Sequence, residues 1–430
     1  MNKMRRMLII GMLAISSVWI TSCKQNKQEI TSNNKPNELS GKVNVWGSTR
    51  DSELLGKEVA IFKKKYPKVE INVTNSDINS IKDNLSKNLK NKTDVPDIIS
   101  LEDTDVPSMV KSFKDNLIDA ENVSDFKSDS YIKYQIYNST YGNKIYAFPW
   151  YVDPVFVAYR QDILGTLNVK SGDIKYWSEY LNVGTGPVKA AGKAMLSMDY
   201  FNNSRLYNIG MRQLGLNYFD DNDKLDLEDS IKPSELVVNS YNNKILYDDS
   251  KKLSDVQNFG DGNTLSIVSD LSTLRDIENK YTNLKGKINV EKMPAFEAGG
   301  NRDVVEFGEN LMALKNASKN KAAMEFIRFL TTSDENDSLL FDNYGYLTSN
   351  TLKYANIKFY NTDSFYNKKL GKIAINESNN LVNVKYNEYF LQIKDMVQNA
   401  TIDSATSNKD LKQNIYSVQN TIETSNIIDK

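Results

Sequence analysis

The sequence predicts an α/β protein built as two lobes, on three observations. Residues 43–101 alternate strand, helix, strand, helix, strand, the pattern of a parallel sheet covered by crossover helices. The chain has 430 residues, 40% hydrophobic and 25% charged, enough for two domains with a core each. Two long extended runs, Tyr141–Asp162 and Val304–Leu314, break the helical patterning and read as passages from one sheet to another.

Val43, Asn44, Val45 and Trp46 alternate as a strand, and a polar loop follows to Asp51. Leu55, Val59, Phe62 and Tyr66 recur at helical spacing until Pro67 stops them. Val69, Ile71 and Val73 form the second strand, Ile81, Leu85 and Leu89 the second helix, and Pro96–Leu101 a third, buried strand. Ligands of open parallel sheets lie beyond the carboxyl ends of the strands. That rule makes Trp46, Arg50 and Asp51 candidates in the first loop, and Glu102 and Asp103 in the loop after the third strand. Asp105 reads as the cap of a helix through Val106, Met109, Val110 and Phe113.

In the run Tyr141–Asp162, Pro149 and Pro154 cannot donate to a sheet ladder, so the piece between them reads as a crossing rather than a central strand. Trp150, Tyr151 and Asp153 sit on it. A short helical region surrounds Trp177, and strands follow at Ala194–Met198, Leu265–Val268 and Lys287–Met293. Ala323, Phe326, Ile327 and Leu330 give a helix its apolar face. Tyr386, Phe390, Ile393 and Val397, then Leu411, Ile415, Val418 and Ile422, give two more.

Composition excludes several functions. A formal net charge of -1 with no aromatic-interleaved basic patch argues against nucleic acid. Histidine is absent, which removes Ser-His-Asp and Cys-His nucleophiles and every histidine-containing metal site. The acidic run Asp220–Asp226 fails the EF-hand template and reads as a solvated loop. No cofactor and no metal is expected. At the amino terminus Lys3, Arg5 and Arg6 precede the apolar run Met7–Ile20, too short to span a bilayer and typical of a signal peptide, here residues 1–22. Ile20-Thr21-Ser22-Cys23 resembles a lipobox, and Cys23, the sole cysteine, is free to carry a lipid. Residues 23–40, rich in Asn, Lys, Ser and Gln, read as a flexible tether on the outer face of the cytoplasmic membrane.

The turn Gly142–Ala147, Phe148-Pro149-Trp150, Tyr159-Arg160-Gln161-Asp162, Pro96–Leu101 and the run Ser318–Leu330 resemble the bacterial extracellular solute-binding protein family 1. These are carbohydrate-binding lipoproteins of ABC importers, the family that includes maltose-binding protein, and the resemblance spans residues 42–350. It implies a two-lobed periplasmic-binding-protein-like fold with three hinge crossings. Lobe 1 would be 41–152 plus 312–345, and lobe 2 would be 153–311 plus 346–430. It implies a non-enzymatic, monomeric receptor for a small carbohydrate of oligosaccharide size, working with membrane permease subunits and anchored through Cys23. It carries ligand roles to Asp199 and Tyr200, places Glu309 and Asn310 toward the cleft from the return crossing, and adds Tyr344 from the last one. Where many members hold a tryptophan, this chain has Asp270-Leu271, a departure that keeps a non-sugar solute open alongside Arg50 and Arg205. A lipid-anchored glycosidase pairing Glu102 with Asp153 is the other alternative. On this reading Trp150→Ala loses ligand affinity without unfolding.

Overall fold

The computed structural model describes residues 39–220, 222–248, 252–425 and 427–428. The expected signal peptide, Cys23 and the tether up to residue 38 lie outside the described residues. Among the described residues no helix is long and apolar enough to cross a membrane.

The first lobe begins as the alternation predicts: β1 (Ser40–Ser48), α1 (Ser52–Lys65), β2 (Lys68–Ser76), α2 (Ile78–Asn91) and β3 (Ile98–Glu102). β1 pairs in parallel with both β2 and β3. α3 (Val106–Phe113) follows, but the Asp105 side chain does not cap it. Next come β4 (Phe148–Pro154) and β5 (Phe156–Arg160). The second lobe continues with α4 (Arg205–Leu214), α5 (Ile231–Asn242), β6 (Ser266–Ser269), α6 (Leu271–Lys280) and β7 (Ile288–Glu291). β8 (Val305–Ala313), α7 (Lys321–Thr332) and β9 (Leu347–Thr348) return to the first lobe, and α8 (Phe390–Ser407) and α9 (Leu411–Thr424) close the chain on the second.

The first sheet runs β9-β4-β8-β3-β1-β2, and the second, antiparallel, runs β6-β5-β7. β4 is therefore paired on both sides, which corrects the reading of that piece as a crossing only. The sheet tolerates its prolines because Pro149 lies opposite Asn310, where the β4–β8 register shifts, and Pro154 ends the strand. The passage between sheets is short: Val155 donates its backbone N–H to the carbonyl of Val304 at 3.2 Å. Pairing places residues 305–311 and 347–348 in the first sheet, whereas the lobe limits implied by the resemblance put them in the second lobe.

Each lobe has its own packed interior. In β1, Val43 and Val45 join Phe62 of α1 and Phe326 of α7 on one face. Trp46 alternates to the other face, partly buried against the cluster that contains Ile81 and Leu85 of α2. The second interior gathers Val157, Tyr159, Trp177, Tyr180, Val237, Ile393 and Ile415. Burying each aliphatic or Phe side chain of these sets stabilises the fold by roughly 1.5–3 kcal/mol before chain entropy is subtracted.

Candidate functional site in the interlobe cleft

The carboxyl ends of β1 and β3 face α4 and α8 across a cavity of about 360 Å³, within the range of small-molecule pockets. Arg50, Glu102 and Thr104 line it from the first lobe, and Asn208, Met211, Arg212, Phe390 and Lys394 from the second. Glu306 and Phe307 of β8 contribute the crossing strand's share.

Arg50 organises one side of it. Its guanidinium lies 3.7 Å from the centre of the Phe307 ring and donates to both Glu102 and Glu309. Next to it Asp51 is buried and accepts the hydroxyls of Tyr151 at 2.5 Å and Ser48 at 2.7 Å. The loop reaches this position because Gly47, next to last in β1, lies tight against the next helix, where an added Cβ would stand 2.6 Å from a Leu55 methyl. Glu309 is fully buried, and burial pushes its carboxyl well above the ordinary range; Asp51 adds to the rise and Arg50 opposes it. Tyr151 stacks on Tyr346 with ring centres 4.5 Å apart, and Tyr346 meets the Phe307 ring edge to face at 5.8 Å.

A second charged group lies toward the second sheet. Asp153 is buried with one oxygen lacking a hydrogen-bond partner. Burial raises its carboxyl well above the usual range, helped by Asp270 and Glu306 and opposed by Arg205. Asp270 also caps α6, accepting the Thr273 N–H at 2.6 Å. Arg205 donates to Glu306 at 2.9 Å and sits 5.3 Å from the Tyr200 ring, while the Tyr200 hydroxyl donates to the Val268 carbonyl at 2.8 Å.

Thus Arg50, Asp51, Glu102, Tyr151 and Glu309 form one network, and Asp153, Asp270 and Tyr200 gather around Arg205. Asp103 is spent on an ion pair with Arg212 at 2.8 Å and is not an open acceptor. Five further expected residues belong to neither group. Trp46 is partly buried against the apolar cluster that holds Ile81 and Leu85 of α2 and Ile99 of β3. Trp150 is wholly enclosed in the first core, edge-on to Tyr151 at 4.8 Å. Asp199 is exposed at the start of a short helix, Asp199–Asn202. Tyr344 leans on α1, its hydroxyl 3.3 Å from Glu53 and its ring 4.9 Å from the Lys57 ammonium. Asn310, expected at the cleft with Glu309, is buried one position further along β8 and alternates away from Arg50.

The sequence reading passed over α4, whose Asn208 and Arg212, four apart, share the cleft-facing side. That spacing was the available signal; nothing in the sequence marked Phe390 or Lys394 as partners of loops nearly 300 residues earlier. The Asp220 carboxylate accepts the backbone N–H groups of Asn222 and Lys224 at 2.8 and 2.9 Å, an Asx-type loop, while Asp221 lies outside the described residues.

Two α/β lobes joined by crossing strands, with a polar cleft walled from both, define the class of two-lobed solute-binding proteins. Residues 57–370 match the family described as bacterial extracellular solute-binding protein, and the chain belongs to that family. It is 25% identical to an arabinooligosaccharide-binding protein of Bacillus subtilis (strain 168) over 66% of this chain and 67% of that protein. Its fold is similar to that of the sugar-binding protein MalE from Xanthomonas citri, with a TM-score of 0.72 at 17% identity over 89% and 96% of the two chains. It is also similar to the galacto-N-biose-/lacto-N-biose I-binding protein of Bifidobacterium longum in complex with lacto-N-biose. There the TM-score is 0.71 at 16% identity, over 90% and 97% of the chains.

Proposed function

We propose that this protein is the substrate receptor of an ABC importer, capturing a neutral oligosaccharide between its lobes and passing it on chemically unchanged. One observation carries the reading: the cavity of about 360 Å³ takes its walls from both lobes and some of its lining from β8, which joins them. A closed state is favoured only by the extra affinity ligand has for it, so contacts from both sides are what a capturing cleft needs. The chemistry suits a sugar. Phe307 and Phe390 offer apolar surface to C–H faces, and Glu102, Glu306 and Asn208 offer hydroxyl partners. The names of the relatives, an arabinooligosaccharide-binding protein and solved sugar-binding proteins, support the same ligand class. In this reading Asp153 and Asp270 take ligand hydroxyls, and hinge motion is concentrated where the chain changes sheets, close to residues 154, 304 and 349.

The test is a thermal-shift and calorimetric screen against neutral arabinooligosaccharides. A ligand that binds only the folded protein raises its melting temperature, by about 2.7 kcal/mol of stability at a hundredfold excess over Kd. Saturable binding supports the reading, and no response from any neutral sugar overturns it. The same reading places the protein outside the cytoplasmic membrane as a monomer held by a lipid on Cys23. Cys23→Ala is expected to move it from the membrane fraction to the soluble fraction, and retention on the membrane would contradict that anchor.

A further inference from the structure

We propose that Arg212 and Asp103 form a closed end wall of the cleft and thereby set the length of ligand it accepts, an inference that rests on the carbohydrate reading above. Arg212, on α4 of the second lobe, reaches across to Asp103 after β3 of the first. Its two terminal nitrogens meet the two carboxylate oxygens at 2.8 and 3.0 Å. Such a bidentate pair is planar and fixed in orientation, unlike a lysine contact. Asp103 is fully buried and the Arg212 side chain nearly so. Tyr134 locks the pair from behind, accepting from Arg212 at 2.7 Å and donating to Asp103.

The wall continues outward. The Tyr134 and Tyr386 hydroxyls are 3.4 Å apart. The Lys385 ammonium donates to the carbonyls of Tyr137, at 2.9 Å, and Thr140, and lies 3.7 Å from the Tyr141 ring centre. Lys111 meets Glu388 at 2.9 Å. From Asp103 to the surface, residues of the first lobe are thus stitched to residues 385–388 of the second. Arg212 is at the same time a lining residue of the cavity, so the pair borders the space a ligand fills. The Glu306 part of the lining is built differently: it pairs with one cation of its neighbouring helix, Arg205, rather than with a bidentate partner across the cleft. To extend past Arg212 a ligand must pull the buried cation and carboxylate away from each other and leave each uncompensated.

The experiment is calorimetry of the unmodified protein and the double variant Asp103→Ala/Arg212→Ala across a ladder of neutral arabinooligosaccharides from dimer to octamer. Removing both partners strands neither charge. In the unmodified protein, affinity should rise with length until the cavity is filled and then fall at least tenfold. In the double variant, the ratio of long-ligand to short-ligand affinity should rise at least tenfold, whatever happens to absolute affinity, and Arg212→Lys should restore some of the rejection. Should the double variant not melt cooperatively, Lys111→Ala with Lys385→Ala loosens the seam from outside the cavity and carries the same expectation. An unmodified protein that accepts every length equally, or a folded variant whose length profile does not change, overturns the end wall. A ladder with no binding at all overturns the carbohydrate reading itself, and the length rule with it.

Discussion

Arg50 donates to Glu102 and Glu309 while lying over Phe307, so its removal has two separable effects. Breaking a buried ion pair typically costs ~3–5 kcal/mol. The Arg50 side chain is 30% exposed, so denaturant unfolding of Arg50→Ala should show a smaller loss of about 1–3 kcal/mol. Ligand affinity should fall at least tenfold. Trp150 behaves in the opposite way: it is enclosed in the first core, so Trp150→Ala should lower stability by about 3–5 kcal/mol and leave the affinity of the folded fraction intact. An affinity loss without a melting change would put Trp150 back at the ligand. Asp105 makes a pH prediction. Burial first, then the neighbouring Glu102 carboxylate, push it up to about 7. The folded protein keeps this proton to about pH 7, whereas an unfolded chain releases it near pH 4. Its contribution to stability is therefore complete below about pH 4 and is lost as pH rises toward 7. Asp105→Asn should be more stable than the unmodified protein by roughly 1–2 kcal/mol at pH 7, reduced by partial exposure, and equal to it near pH 4. A difference independent of pH would contradict the assignment.

Among the elements, β1, α1, β2, α2 and β3 were legible because apolar residues at two- and four-residue spacings report directly on which face meets a core. The C-terminal helices α8 and α9 were legible for the same reason. β4 was only half legible: its prolines argued against a paired strand, and the register shift opposite Asn310 that accommodates Pro149 is a property of β8 rather than of β4. The site divided along similar lines. Loops at strand ends were found by rule, and Arg50, Asp51 and Glu102 with them. The same rule pointed to Trp46, which is partly buried against the apolar cluster of α2 and β3, and Trp150 is enclosed because its whole strand is covered on both faces. The last passage between lobes turns on Gly345, whose φ is +75° and whose Cβ, if present, would lie 2.5 Å from the Ser272 backbone nitrogen of α6. Gly345→Ala should cost about 1–3 kcal/mol through strain and collision with backbone that cannot rotate away, seen as a lower melting temperature. An unchanged melting temperature would show that this turn is not held against α6.

For the whole molecule, the arrangement assigns affinity to contacts made from both lobes at once. Phe307 and Glu306 come from the crossing strand β8, so a ligand seated on them also touches the element about which the lobes move. Arg50 and Arg205, which kept an anionic solute open in the sequence, are each already faced by carboxylates of this chain, an arrangement better matched to a neutral polyhydroxylated ligand than to an acid. The measurement that tests the central claim most directly is calorimetric titration of the purified protein with neutral arabinooligosaccharides, followed by chromatography of the recovered sugar. Saturable one-to-one binding is expected, weakened at least tenfold by Arg50→Ala, with the sugar recovered at its original length. Absence of binding across the series, or recovery of shortened fragments, would contradict it.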